Sequence, residues 1–266
     1  MIHKIATVTL LLFSLVSFSQ KDTIVTYLDA KKKSFVDKES AHFTRKMIKV
    51  GDYFRVLYYE KKGVLISDET FLNGKLTKRV GTNKLYFGSG ELQIFRQFNE
   101  QSELDGKFQT YYEDGSKNFG GVYKSGKKDG VWDYYYANGN KMALLFYNNG
   151  TVENYDLWNE DGTEKNEKLI LERRPEFKGG QAALVNYIRK NLSTKFRKSK
   201  FRGRLILGFT INKEGKPEDI NIRPKNLSER DVNSILRFFK KMPNWEPGIQ
   251  LNRKVKVKYT LPVRIN

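Results

Sequence analysis

Residues 111–141 read YYEDGSKNFGGVYKSGKKDGVWDYYYANGNK, and the stretch nearly repeats itself. Two aromatic doublets, Tyr111-Tyr112 and Tyr135-Tyr136, each stand just before a turn dipeptide, Asp114-Gly115 and Asn138-Gly139. Asp-Gly and Asn-Gly supply the positive φ that a tight hairpin turn demands. The theme continues in 146-FYNNGTVENYDLWNEDGTEK-165 and starts earlier, with the doublet Tyr58-Tyr59. Gly90, Gly115, Gly139 and Gly162 recur at intervals of 25, 24 and 23, while Gly106 to Gly130 and Gly126 to Gly150 each keep 24. Such a period makes one repeat one β-hairpin. A lone hairpin cannot bury its aromatic face, but a row of them can, so residues 51–165 predict an elongated antiparallel sheet. Residues 20–50 then form the lead-in and cap that such an array needs.

Three blocks carry a family resemblance: Tyr111-Tyr112-Glu113-Asp114-Gly115, Tyr123-Lys124-Ser125-Gly126-Lys127 and Gly130-Val131-Trp132. In this order they resemble MORN-type repeats, in the variant found in the YwqK family of antitoxins. Phe71-Leu72-Asn73-Gly74-Lys75 fits the same pattern, whereas Phe98 to Gly106 lacks the Gly-Lys pair. The resemblance implies a hairpin-built sheet and little chemistry.

The chain begins MIHKIATVTLLLFSLVSFSQ, with a cation at Lys4, an apolar run from Ile5 to Phe18, and small residues at Ser17 and Ser19. This predicts a signal peptide over residues 1–19. As a helix the apolar run would reach about 21 Å, short of the roughly 30 Å of a bilayer core. The mature protein is therefore expected without a transmembrane span, in the periplasm or outside the cell. The sequence has no cysteine, which removes disulfides and thiolate metal sites. A formal charge of +19 on an exported chain points to anionic envelope surfaces or acidic protein partners rather than nucleic acid.

Composition changes after a connector placed at residues 166–174. From Pro175 to Asn266 there are 22 Lys/Arg against 7 Asp/Glu, a net of +15. Within it Leu184, Tyr187, Ile188 and Leu192 share one helical face, and Leu205, Leu207, Phe209 and Ile211 alternate as a strand. Ile220 and Ile222 supply its hairpin partner across Lys213-Glu214-Gly215-Lys216. Ser228 is a candidate N-cap for a second helix, with Val232, Ile235, Leu236 and Phe239 as its apolar stripe and Pro243 as its stop. The closing run 253-RKVKVKYTLPVRIN-266 puts Val255, Val257, Tyr259, Leu261, Val263 and Ile265 on one side and mostly cations on the other. Read as one strand from Lys254 to Ile265, it would span roughly 40 Å and leave much of its length without a partner. The expected class is mainly β with α+β: a hairpin array followed by a small domain of two helices on an antiparallel sheet, residues 175–266.

Four blocks of this second region resemble the C-terminal domain family of TonB: Pro175 to Gly180, Gly203 to Gly215, Met242-Pro243-Asn244-Trp245-Glu246-Pro247-Gly248, and Tyr259 to Arg264. The stretch 193–202 departs from that pattern. The resemblance implies capture of an extended receptor segment as an added strand beside the last one. It makes the partner a protein, namely an extended segment of an outer-membrane receptor or transport component. Lys254, Lys256, Val257, Lys258 and Thr260 are then the partner-binding residues, and Trp245 and Pro247 hold the supporting turn. A basic patch, Lys195, Arg197, Lys198, Lys200, Arg202 and Arg204, is interleaved with Phe196 and Phe201 and suits an anionic envelope surface. Two alternatives stand beside this adaptor reading: an energy transducer that keeps its N-terminal anchor, and a basic structural protein that binds the envelope.

No catalytic residue, cofactor site or metal site is assigned. His42 is the one imidazole after the signal segment, and no nucleophile motif surrounds it. Glu113-Asp114 and Glu160-Asp161 sit against turn glycines and read as turn residues. No glycine run forms a phosphate-cradling loop.

Overall fold

A computed structural model describes residues 23–196, 199–224 and 226–265, so the predicted signal peptide lies outside the described residues. The chain divides into two units between Lys165 and Asn166. Among the described residues no helix is long and apolar enough to cross a membrane.

The first unit is one eleven-stranded antiparallel sheet whose spatial order equals its chain order. Its strands are β1 (Thr23–Leu28), β2 (Phe43–Val50), β3 (Tyr53–Glu60), β4 (Leu65–Phe71), β5 (Gly81–Tyr86) and β6 (Leu92–Phe98). They continue as β7 (Leu104–Tyr111), β8 (Lys117–Lys124), β9 (Lys127–Tyr135), β10 (Lys141–Asn148) and β11 (Thr151–Leu157). Within the expected lead-in, residues 20–50, β1 and β2 pair in full register and form the first strands of the same sheet.

The repeat period has a hydrogen-bond cause. Tyr112 Oη donates to the Tyr135 carbonyl at 2.8 Å, and Tyr136 Oη donates to the Trp158 carbonyl at 2.8 Å. On the opposite edge the N–H of Gly126 reaches Leu104 O and that of Gly150 reaches Lys128 O, both at 2.8 Å. Tyr112 and Tyr136 at one end, and Gly126 and Gly150 at the other, therefore tie one hairpin to its neighbour. Two turn chemistries alternate. Glu113-Asp114-Gly115 is a three-residue loop closed by Tyr112 N–H to Ser116 O, while Ser125-Gly126 and Asn149-Gly150 are two-residue turns with both φ values positive.

The array's core is built within a single layer. Trp132 is fully buried, with Phe108, Tyr123 and Tyr147 around it at ring distances of 5.9, 5.0 and 6.1 Å. Its indole lies flat on Gly121, where an added Cβ would meet the ring at 2.5 Å. Lysine and arginine stems cap the rings from outside: Lys128 over Trp132, Arg79 over Phe71, Arg96 over Phe98.

In the second unit β13 (Gly203–Ile211) is central, with β14 (Pro217–Arg223) on one side and β17 (Val257–Ile265) on the other. Helices α1 (Gly180–Ile188) and α3 (Glu229–Lys240) cover one face. Leu205, Leu207, Phe209, Ile211, Leu261, Val263 and Ile265 alternate inward to meet Leu184, Leu192, Ile235, Phe238 and Phe239. A second small sheet orders β12 (Glu172–Arg173), β15 (Gly248–Gln250) and β16 (Arg253–Val255). Beyond α1 the chain runs through a π turn, Arg189–Ser193, into the short α2 (Thr194–Phe196).

Four expectations change. The connector 166–174 is not a free tether. Glu172 and Arg173 pair with Gln250 and Ile249, and Asn252 bonds to Lys168 O, Ile170 N–H and Glu167. The closing ribbon is two strands rather than one: it breaks at Lys256, because Leu251 and Asn252 at positive φ fold β16 back onto β15. Nor is most of it unpartnered, since β17 pairs with β13 at every residue. The stripe of α3 is rotated, with Phe238 buried and Leu236 43% exposed. Ser228 caps α3: its Oγ accepts from Asp231 N–H at 3.2 Å and donates to the Asp231 carboxylate at 2.7 Å. Ser199 donates to the same carboxylate, which ties the segment from Ser199 to Arg202 to the helix start.

Candidate functional site

The site follows from which way the main chain of β17 faces. Neighbouring residues of a strand alternate the direction of their N–H and C=O groups. Asn212, which continues β13, donates its N–H to Lys216 O at 2.9 Å, on the β14 side. Counting back, the even-numbered residues of β13 bond to β14 and the odd-numbered ones to β17. In the register Ile211↔Val257 through Gly203↔Ile265, the groups of Val257, Tyr259, Leu261, Val263 and Ile265 thus bond to β13. Those of Lys258, Thr260, Pro262 and Arg264 point to the open edge. Both prolines fit this assignment. Pro262, without an N–H, sits where none is needed, and Pro217 pairs with Ile211 at a non-bonded position.

The same alternation sorts side chains. Lys258, Thr260, Pro262 and Arg264 project onto the sheet face away from the helices, beside Arg204, Ile206, Gly208, Asn221 and Arg223. A shallow groove of about 630 Å³ runs over Ile206, Gly208, Thr210, Asn221, Arg223, Lys258 and Thr260. A second hollow of about 480 Å³ is bounded by Gly203, Arg204, Pro262 and Arg264. Arg204, Arg223, Lys258 and Arg264 are exposed, and none forms an ion pair among the described residues. Asp219 is the carboxylate on the groove's rim.

At the start of β17, Lys256 is already engaged, donating to Glu218 at 2.7 Å. That bond holds the Glu218 carboxyl below the usual carboxylate range and the Lys256 ammonium above its own. Trp245 anchors the turn that launches the strand. It is buried against Phe177, Phe209 and Tyr259, and its indole N–H donates to Met242 Sδ. Its backbone N–H donates to Gly215 O, while an added Cβ on Gly215 would lie 1.9 Å from Trp245 O. Pro247 follows the bridge between Glu176 and Glu246 that fixes this turn.

The residues singled out from sequence separate accordingly. Lys258 and Thr260 stand on the open edge. Val257 begins β17 with its N–H toward β13, Lys256 lies between the sheets, and Lys254 belongs to β16. Among the described residues the members of the basic patch lie on different elements. Lys195 is on α2, Lys200 is in the following loop, and Arg202 folds its guanidinium onto Ser199 O and Phe201 O. Arg204 is carried by β13 to the open sheet face, and Arg197 and Lys198 lie outside the described residues. Phe196 is buried and Phe201 packs on the core, so the aromatics of that stretch are anchors. His42 donates its backbone N–H to Leu28 O ahead of β2. Arg223 and Asn221 were missed. The signal for them was the hairpin register, which places each opposite an outward residue of β13.

No protein-family model matches the chain, and a search of curated proteins finds no match.

Proposed function

We propose that this is a non-enzymatic, exported interaction protein whose C-terminal unit captures an extended peptide as a strand added to β17. One observation carries the reading: β17 is the edge of its sheet, with the N–H groups of Lys258, Thr260 and Arg264 and the carbonyls of Lys258, Thr260, Pro262 and Arg264 turned outward. Backbone pairing supplies affinity in such docking, and alternate side chains supply selectivity. The resemblance of residues 175–266 to the TonB C-terminal domain family supports the same mode and suggests the partner, an extended segment of an outer-membrane transport component. The MORN-like array serves as the platform that accompanies it, and removal of residues 1–19 delivers the protein to the periplasm.

The test is a proline at Thr260, which deletes an outward donor without touching the β13 ladder. With the full mature chain, fluorescence anisotropy of a labelled extended peptide should show binding abolished by Thr260→Pro and retained by Thr260→Val. A folded Thr260→Pro variant that binds as well as the parent rejects strand addition.

A further inference from the structure

Arg204 and Arg264 are directly opposite one another across β13 and β17, on the exposed sheet face. Like charges placed opposite in an antiparallel pair repel, and nothing among the described residues neutralises this pair. Directly beside them is the hollow bounded by Gly203, Arg204, Pro262 and Arg264. Arg223 and Lys258 extend the positive potential along the same face, and Asp219 sits toward the other end of the groove. Guanidinium groups present paired donors that match a carboxylate.

We infer that the Arg204–Arg264 pair is a carboxylate site, which selects partner segments carrying an acidic side chain at one register position of the added strand. The inference rests on the strand-addition reading above and names the chemistry that reading leaves open. An extended peptide is favoured over a lipid headgroup because the cations border an open main-chain edge. Along that edge the outward side chains recur about every 6.6 Å, the two-residue repeat of another strand. The missing donor at Pro262 also fixes register: a peptide carbonyl opposite Pro262 would find no partner. The residue that reaches Arg264 is therefore set relative to the residues that pair with Thr260 and Lys258.

The experiment uses the full mature chain and a labelled peptide of about ten residues that alternates valine and serine. One glutamate replaces each serine in turn, and binding is read by anisotropy. One position should bind about tenfold tighter than the all-serine parent, and the gain should vanish in both Arg204→Gln and Arg264→Gln, with the parent peptide's affinity unchanged in Arg204→Gln. Equal gains at every position, or equal weakening of parent and glutamate peptides by the two variants, would overturn the site. Vesicles containing phosphatidylglycerol provide the other arm: binding to them that depends on this pair, without any peptide preference, assigns the pair to lipid and overturns the proposal. The two readings separate through N-methylation of the peptide backbone. If N-methylated glutamate peptide binds as before, strand addition falls while the charge site stands. If N-methylation abolishes binding but glutamate brings no gain, strand addition stands and the carboxylate site falls.

Discussion

Trp132 and Trp245 are both buried, yet they are buried by different kinds of neighbour. Around Trp132 stand Phe108, Tyr123, Lys128 and Tyr147, all from β7 to β10 of the same sheet. Around Trp245 stand Phe177, Phe209 and Tyr259, from segments far apart in the chain. A repeat array assembles its core from adjacent hairpins and can lose one part without losing the rest. The C-terminal unit closes its core between a sheet and two helices, so that its parts stand or fall together. The difference also bears on open edges. Interior strands of the array are consumed by both neighbours, whereas β17, like β14 on the far side of its sheet and β1 and β11 at the ends of the array, has one strand neighbour.

The largest expected effect tests this contrast. Trp245→Ala and Trp132→Ala should each cost about 3–5 kcal/mol. Amide hydrogen exchange should show protection lost together in β13, β17 and α3 for the first, but only in β7 to β10 for the second. Loss of protection in β2 to β4 on replacing Trp132 would break the one-dimensional account of the array. Gly215→Ala should mimic Trp245→Ala, because the added Cβ collides with the Trp245 carbonyl at a φ of +82°.

Next comes a pair of prolines on one strand. Val257→Pro removes a donor to β13 and should destabilise the unit by about 2–3 kcal/mol, since a buried carbonyl is left unmatched. Thr260→Pro, three residues on and facing outward, should cost well under that. Urea melts of the two variants measure the contrast; a larger loss for Thr260→Pro would reverse the assigned direction of the strand, and equal losses would remove its support.

How much was legible follows from the same contrast. Periodic glycines and doublets announced the array, because each repeat is stabilised by the next one along the chain. Alternation announced β13 and β17 and the inward set Leu205 to Ile211. What stayed hidden depends on contacts between distant residues. Tyr112 and Tyr136 were visible as doublets, but not as links to the next repeat's carbonyls. The break at Lys256 depends on positive φ at both Leu251 and Asn252, and only Asn252 is a usual turn residue, since leucine rarely adopts that conformation. The rotation of α3 arises because Phe238 joins Tyr187 and Phe239, which helical spacing alone does not favour over Leu236. At the site, Lys258 and Thr260 could be named from the ribbon, whereas Arg223 entered only through pairing register.

A smaller effect is expected at the start of α3. Ser228→Ala removes the cap and one of the two hydroxyl donors to Asp231, and should cost about 1 kcal/mol. Ser199 also donates to Asp231, so the loop 199–202 should loosen with it, which hydrogen exchange at Phe201 reads through its N–H bond to Ser199 Oγ. Unchanged exchange there would mean that the loop is held by Phe196 and Phe201 alone.

The smallest expected effect belongs to the array and to the way it caps its rings. Lys128 lies 4.1, 5.3 and 5.0 Å from the Trp132, Tyr134 and Tyr147 ring centres and donates to Tyr134 Oη. Burial pushes its ammonium down to about 8, while in the unfolded chain the group keeps its proton to the ordinary lysine range. Between these values the unfolded state binds more protons, so stability rises with pH from about 8 upward. Partial exposure and the ring contacts both favour the charged form, which limits the gain to under about 1 kcal/mol. Lys128→Met should flatten that slope in pH-dependent urea melts while leaving the C-terminal unit's melt unchanged. A wild-type slope that survives the substitution would show that the rings hold Lys128 charged throughout, and that the array tolerates a buried cation without losing its proton.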